Sequence, residues 1–125
     1  MVDVLCLDGL RDQIERHGAL IEVGAKVTHQ QLADNELLAQ YCPWLCDAAR
    51  LIGDVQVRNQ GTTVGNVCWA DPRANMAVAM LASGARLNVL GSASGPSTDT
   101  LSLDETFVGF RQTVLDGRLA HSLQV

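Results

Sequence analysis

The chain has 125 residues, 47% of them hydrophobic and 18% charged, with a formal net charge of −5. This length and balance fit one folded domain with a modest core and do not fit a disordered chain. The acidic surplus argues against nucleic acid or an anionic membrane as partner, and no apolar run approaches the roughly 18 residues that cross a bilayer.

Residues 1–7 are rich in Val and Leu and alternate loosely, which predicts a short strand. They lack the basic start of a secretory signal, so the cytoplasm is the expected location. Residues 10–20 read as a short helix or turn leading to the strand Ile21-Glu22-Val23, closed by Gly24. Thr28 and Gln31 have the spacing of a capping box, and two short helical pieces are expected around Asp34-Asn35. His29, next to the cap, is expected to face solvent.

Pro43 suits the first turn of a helix. Leu45, Ala48, Ala49, Leu51 and Ile52 continue it at helical spacing up to Gly53-Asp54. Val64 and Val67 are expected to begin a strand or to lie against the core. Residues 75–83, NMAVAMLAS, predict an apolar helix ended by Gly84, with Met76 and Met80 filling the core. Residues 86–90 and 100–103 predict a hairpin across the turn at 91–97. A short helix or turn at 104–107 and a last strand at 119–125 follow. The four cysteines, Cys6, Cys42, Cys46 and Cys68, form neither a C-x-x-C pair nor a set with metal-ligand spacing. They are expected to be small buried hydrophobes, so no metal site is predicted. Short strands and helices without regular βαβ alternation predict an α+β fold.

The run Gln56 to Pro72, QVRNQGTTVGNVCWADP, stands apart. Gly61 and Gly65 let the backbone approach a ligand closely, and successive N–H groups in such a turn form a concavity that suits phosphate. Thr62, Thr63 and Asn66 add side-chain donors. By composition alone the run also fits a polar loop whose glycines only permit tight turns.

Its order is more specific. Gln56, Val57, Arg58, Asn59, Gly61, Thr62, Gly65, Asn66, Ala70, Asp71 and Pro72 match the pattern Q-[VI]-R-N-x-G-T-[IV]-G-G-N followed by A-D-P. The run resembles the second flavin-binding motif in the FAD-binding (medium) subunits of molybdenum hydroxylases, the xanthine and carbon monoxide dehydrogenase family. Residues 20–25 with Thr28-His29, residues 82–85, and Phe107, Gly109, Arg111 and Thr113 (F-x-G-[YF]-R-x-T) extend the resemblance over most of the chain. It implies the second subdomain of the flavin domain, an antiparallel sheet flanked by helices.

The resemblance also implies a cofactor, FAD, and a role for each site residue. Ile52 would lie on the flavin-ring side, Thr62, Thr63, Val64, Gly65 and Asn66 in a diphosphate loop, and Asn75 on the polar chain. No residue is expected to act as acid or base. Implied partners are an iron–sulfur subunit, which would pass electrons to FAD, and a molybdopterin subunit. Three departures follow. The family's earlier A-G-G-[TQ] loop has no counterpart in these 125 residues, and neither has its C-terminal domain. Val64 replaces a glycine, and a β-branched residue disfavours positive φ and would put its side chain where backbone should meet phosphate. Asn75 replaces an acidic residue. The expectation is therefore a single partial domain over residues 1–125 whose uncovered apolar surface pairs as a homodimer. The alternative function is a stand-alone, non-catalytic domain that has lost competent flavin binding and acts by self-association or on a partner.

Overall fold

The computed structural model describes residues 8–92 and 95–125. The strand expected at 1–7, Cys6, and the tip of the 91–97 turn lie outside the described residues. A first hairpin joins β1 (Ile14–His17) to β2 (Leu20–Gly24), with His17 paired to Leu20 across Gly18 at φ 65°. Within the helix or turn expected at 10–20, residues 14–17 are instead a strand pinned in register to 20–23, and the turn is confined to residues 18 and 19.

Thr28 then opens α1 (His29–Ala33) with the capping box its spacing predicts. Asn35 caps α2 (Glu36–Tyr41), and Pro43 is the first residue of α3 (Pro43–Arg50). Next come α4 (Val55–Gln60), α5 (Thr63–Trp69) and α6 (Asn75–Ala82). The hairpin of β3 (Arg86–Ser92) and β4 (Gly95–Ser102) follows, and β4 ends a residue earlier than expected because Leu103 opens α7 (Leu103–Thr106). A small hairpin of β5 (Phe107–Gly109) and β6 (Gln112–Thr113) precedes β7 (Leu119–Gln124).

The main sheet has the order β1-β2-β7-β3-β4, and every neighbouring pair is antiparallel. The last strand therefore fills the centre, closing the gap between the two hairpins. Val23, Leu87, Val89 and Leu123 are fully buried on the face covered by helices, where they meet Leu32, Leu38, Leu45, Met76 and Met80. The expected fold class, α+β with an antiparallel sheet flanked by helices, is what the chain adopts.

A polar row crosses the same sheet. Thr100 Oγ1 donates to Asn88 Oδ1 at 2.8 Å, Asn88 Nδ2 to Ser122 Oγ at 2.9 Å, and Ser122 Oγ to Glu22 Oε1 at 2.5 Å. Arg11 Nη1 then holds Glu22 Oε2 at 3.2 Å. Asn88 and Ser122 are buried, and their mutual bonds offset the cost of removing them from water. Cys46 is buried in the core as expected. Among the described residues no helix is long and apolar enough to cross a membrane, and no group of three or more His, Cys, Asp and Glu side chains is placed to hold a metal ion.

Candidate functional site

The distinctive run folds as two short helices joined at Gly61-Thr62, not as an open glycine loop. Asp54 caps α4, its carboxylate accepting from Val57 N–H at 2.9 Å. No residue of α4 is buried; its own Arg58 fastens the helix by reaching out to neighbouring elements. That guanidinium donates to the carbonyls of Ile52 (3.1 Å) and Arg50 (3.3 Å), and to Gln30 Oε1 (2.9 Å). Arg58 thus ties α4 to the end of α3 and to α1.

Thr62 is the N-cap of α5. Its Oγ1 accepts from Gly65 N–H at 3.1 Å, and its carbonyl accepts from Asn66 N–H at 3.0 Å. Thr63 N–H is used by Val27 O at 3.2 Å. The fully buried Thr63 hydroxyl sits 3.4 Å from His29 Nδ1. Most donors of that turn therefore have partners within the fold, and the phosphate-shaped concavity expected there is not an open row of N–H groups.

His29 corrects another expectation. Its ring is 2% exposed beneath the α4–α5 junction. Gly61 leaves room for it, since a Cβ there would lie 3.0 Å from His29 Cδ2. Val64 is corrected as well: it is helical, so no positive φ is asked of it, and its side chain is buried in the core. It belongs to the core and not to a strand. Val64→Gly is accordingly expected to destabilise the chain by about 2–3 kcal/mol, from lost apolar burial plus glycine in a helix. Urea unfolding measures this, and an unchanged midpoint would place the side chain elsewhere.

Of the residues assigned to the site, Thr62 to Asn66 share the first turn of α5. Gly65 is exposed there, and Asn66 is half-buried with an amide oxygen that has no partner. Asn75 is exposed at the start of α6, which packs on α5. Ile52 is half-buried between α3 and α4.

The A-D-P element does work that its sequence did not announce. Ala70 closes α5 in the left-handed region at φ 53°, and its carbonyl accepts from Arg111 N–H at 3.0 Å. Asp71 takes a bidentate bond from Arg73 (3.0 and 2.8 Å) and a third from Arg111 at 3.2 Å. The Arg73 guanidinium, with help from Arg111, holds the Asp71 carboxyl well below the usual carboxylate range. Arg111 also lies over Trp69 and Phe110, 4.9 and 5.0 Å from their centroids. The two motif fragments, A-D-P and F-x-G-F-R-x-T, are thus halves of one clamp that seats the β5–β6 hairpin on the end of α5. Cys68, also in α5, has its thiol pushed up to about 11 by burial, which removes it from thiolate chemistry at neutral pH.

Comparison with known proteins agrees with this layout. Residues 1–124 match the family model described as the FAD binding domain in molybdopterin dehydrogenase. The chain is 33% identical over 105 residues to the glyceraldehyde dehydrogenase medium chain of Sulfolobus acidocaldarius, covering 84% of this chain and 37% of that protein. It is 29% identical over 121 residues to the xanthine dehydrogenase FAD-binding subunit of Escherichia coli O157:H7, covering 88% and 41%. A solved structure of carbon monoxide dehydrogenase from Hydrogenophaga pseudoflava, lacking the Mo-pyranopterin moiety of its cofactor, superposes with a TM-score of 0.83 at 28% identity, covering 90% of this chain and 39% of that one. The chain thus spans about two fifths of the length of the relatives it matches. With fold, motif order and family model in agreement, this chain belongs to the family of FAD-binding domains of molybdopterin dehydrogenases.

Proposed function

We propose that the chain supplies one wall of an FAD site in the medium subunit of a molybdenum hydroxylase. Bound FAD would supply reversible electron storage between iron–sulfur clusters and an acceptor. The observation that carries this reading is the first turn of α5. There the motif residues either build the fold, as Thr62, Thr63 and Val64 do, or remain available to a ligand, as Gly65 and Asn66 do. Asn66 is half-buried in that turn, and its amide has both donor and acceptor groups for such a cofactor. Gly65 gives that cofactor a close approach to the helix backbone. Ile52 would stand on the ring side and Asn75, as donor and acceptor, on the polar chain. In this reading hydroxylation would fall to a molybdopterin subunit and electron delivery to an iron–sulfur subunit.

Titrating the purified chain with FAD and following flavin fluorescence tests the reading. Saturable quenching is expected, and it should weaken about tenfold in Gly65→Ala. A Cβ there would lie 2.7 Å from Thr62 Oγ1 and would displace the cap that sets the turn. A colourless protein that leaves FAD fluorescence unchanged would sink the proposal and favour the alternative, a domain acting by self-association or on a partner. One feature favours that alternative: the Thr62 and Thr63 hydroxyls are already engaged inside the fold. Val78, Leu81 and Phe110 expose large apolar surface along an apolar groove of about 320 Å³, and a second copy is the proposed cover.

A further inference from the structure

Helix α6 has the sequence NMAVAMLA, apolar on every side, a pattern that belongs to helices covered all round. Met76, Ala77 and Met80 are buried, yet Val78 and Leu81 are 52% and 41% exposed. Three residues apart, those two share one stripe of the helix. They form one wall of the groove of about 320 Å³, and its other walls include Ala70, Pro72, Phe107 and Phe110. A groove of that volume is within the range of small-molecule sites.

The rim beside Phe110 carries charge. Asp71 is the only charged residue lining the groove, and Arg73 and Arg111 both donate to its carboxylate. The same two guanidiniums lie over the Phe110 ring, 5.7 and 5.0 Å from its centroid, so they stand where the apolar wall ends. Two guanidiniums against one carboxylate leave one positive charge there, in a chain whose net charge is −5. Asp71 occupies Nε and Nη2 of Arg73 and Nη2 of Arg111. Among the described residues, Nη1 of neither arginine has a hydrogen-bond partner, and the two side chains are 72% and 42% exposed. Asp71 thus holds both guanidiniums in place and leaves donors of each open.

Backbone strain gathers at the same spot. Ala70 and Arg111 have φ of 53° and 52°, two of the three non-glycine residues in the left-handed region among the described residues. Arg111 N–H donates to Ala70 O at 3.0 Å, so the two strained residues are joined directly. That conformation is unfavourable for an L-residue, and it collects at ligand clamps.

We propose that this groove binds a small organic acid, its apolar body between α6 and Phe110 and its carboxylate on the open donors of Arg73 and Arg111. Guanidinium groups match a planar carboxylate, and one negative charge balances the single positive surplus. The groove lies at the opposite end of α5 from Gly65 and Asn66, so the proposal does not depend on the FAD reading. The second copy considered above is the competing occupant.

Three probes of one shape separate charge from apolar fit: 4-phenylbutyrate, its neutral amide 4-phenylbutyramide, and the cationic 4-phenylbutylamine. Calorimetry gives their affinities, and amide shifts in NMR give the place. The acid is expected to bind about tenfold more tightly than the amide, the gain of one charge-assisted hydrogen bond, and the amine not at all. Shifts should centre on Val78, Leu81 and Phe110. Arg73→Gln should bring the acid level with the amide and leave the amide unchanged, whereas Leu81→Glu should remove both. Arg73 is chosen because Arg111 also seats the hairpin. Equal affinity for acid and amide in the wild-type chain, or shifts away from the groove, would overturn the proposal. So would a dimer in sedimentation that excludes the acid and that Leu81→Glu turns into monomer, since the groove would then belong to the second copy. Binding of the acid by a chain that ignores FAD would sink the FAD reading and leave this proposal standing.

Discussion

Gly24→Ala is expected to lower the unfolding free energy by about 3 kcal/mol or more, although the substitution adds a single methyl group. Gly24 is buried at the end of β2, where the chain segment before β1 crosses it. Gly24 N–H donates to Gln13 O at 3.0 Å, and Lys26 N–H to Arg11 O at 2.9 Å. A Cβ on residue 24 would sit 2.4 Å from Arg11 O and 2.7 Å from Arg11 C. Those atoms are backbone and have no rotamer to escape into. Relief requires lifting residues 11–13 off the strand, which breaks both hydrogen bonds at about 1 kcal/mol each and adds an overpacking cost of about 1–3 kcal/mol. Denaturant unfolding gives the number directly. A loss below about 1 kcal/mol would mean that the crossing segment yields freely, contrary to its bonding.

The second large effect is one of pH. His29 is buried under the α4–α5 junction, and burial lowers its pKa from 6.5 to about 4. The unfolded chain takes up a proton near pH 6.5, whereas the folded chain refuses it until about pH 4. The unfolded state therefore binds more protons throughout that window. His29's contribution to stability is complete above pH 6.5, declines as the pH falls towards 4, and levels off below. At 1.36 kcal/mol per pH unit the interval corresponds to an effect on the order of 2–3 kcal/mol. His29→Leu should flatten the stability profile between pH 6.5 and 4. A wild-type profile already flat across that window would show that the ring is solvated. The position gives the effect a bearing on the site. His29 N–H donates to Gly61 O at 3.0 Å, and Thr28 bridges to Thr62, so the charged ring would disturb the residues that set the first turn of α5.

Much of the fold was legible in local patterns. Strand β2 shows as Ile21 and Val23 around Glu22, and α1 as Thr28 and Gln31 in a capping box. Pro43 marks the start of α3, Gly84 follows α6, and the β3–β4 hairpin and β7 follow from strand-like runs around a turn. These features depend on neighbours within a few residues, which is the range over which periodicity and capping act. The family likewise followed from the ordered residues between Gln56 and Pro72.

Helix α4 was not legible, because VQVRNQ buries nothing and shows no apolar stripe; Asp54 and the reach of Arg58 to other elements hold it. The β5–β6 hairpin, too short to have a period of its own, is held by Arg111 on Asp71, forty residues away. Whether Val64 joined a strand or the core, and whether His29 met solvent or Thr63, was decided by which elements lie beside them. The amino-acid sequence by itself determined the caps, the local elements and the family. Only the tertiary structure decided which polar groups are satisfied and which stay open, because hydrogen-bond partners distant in the chain become neighbours only once β7 has entered the centre of the sheet.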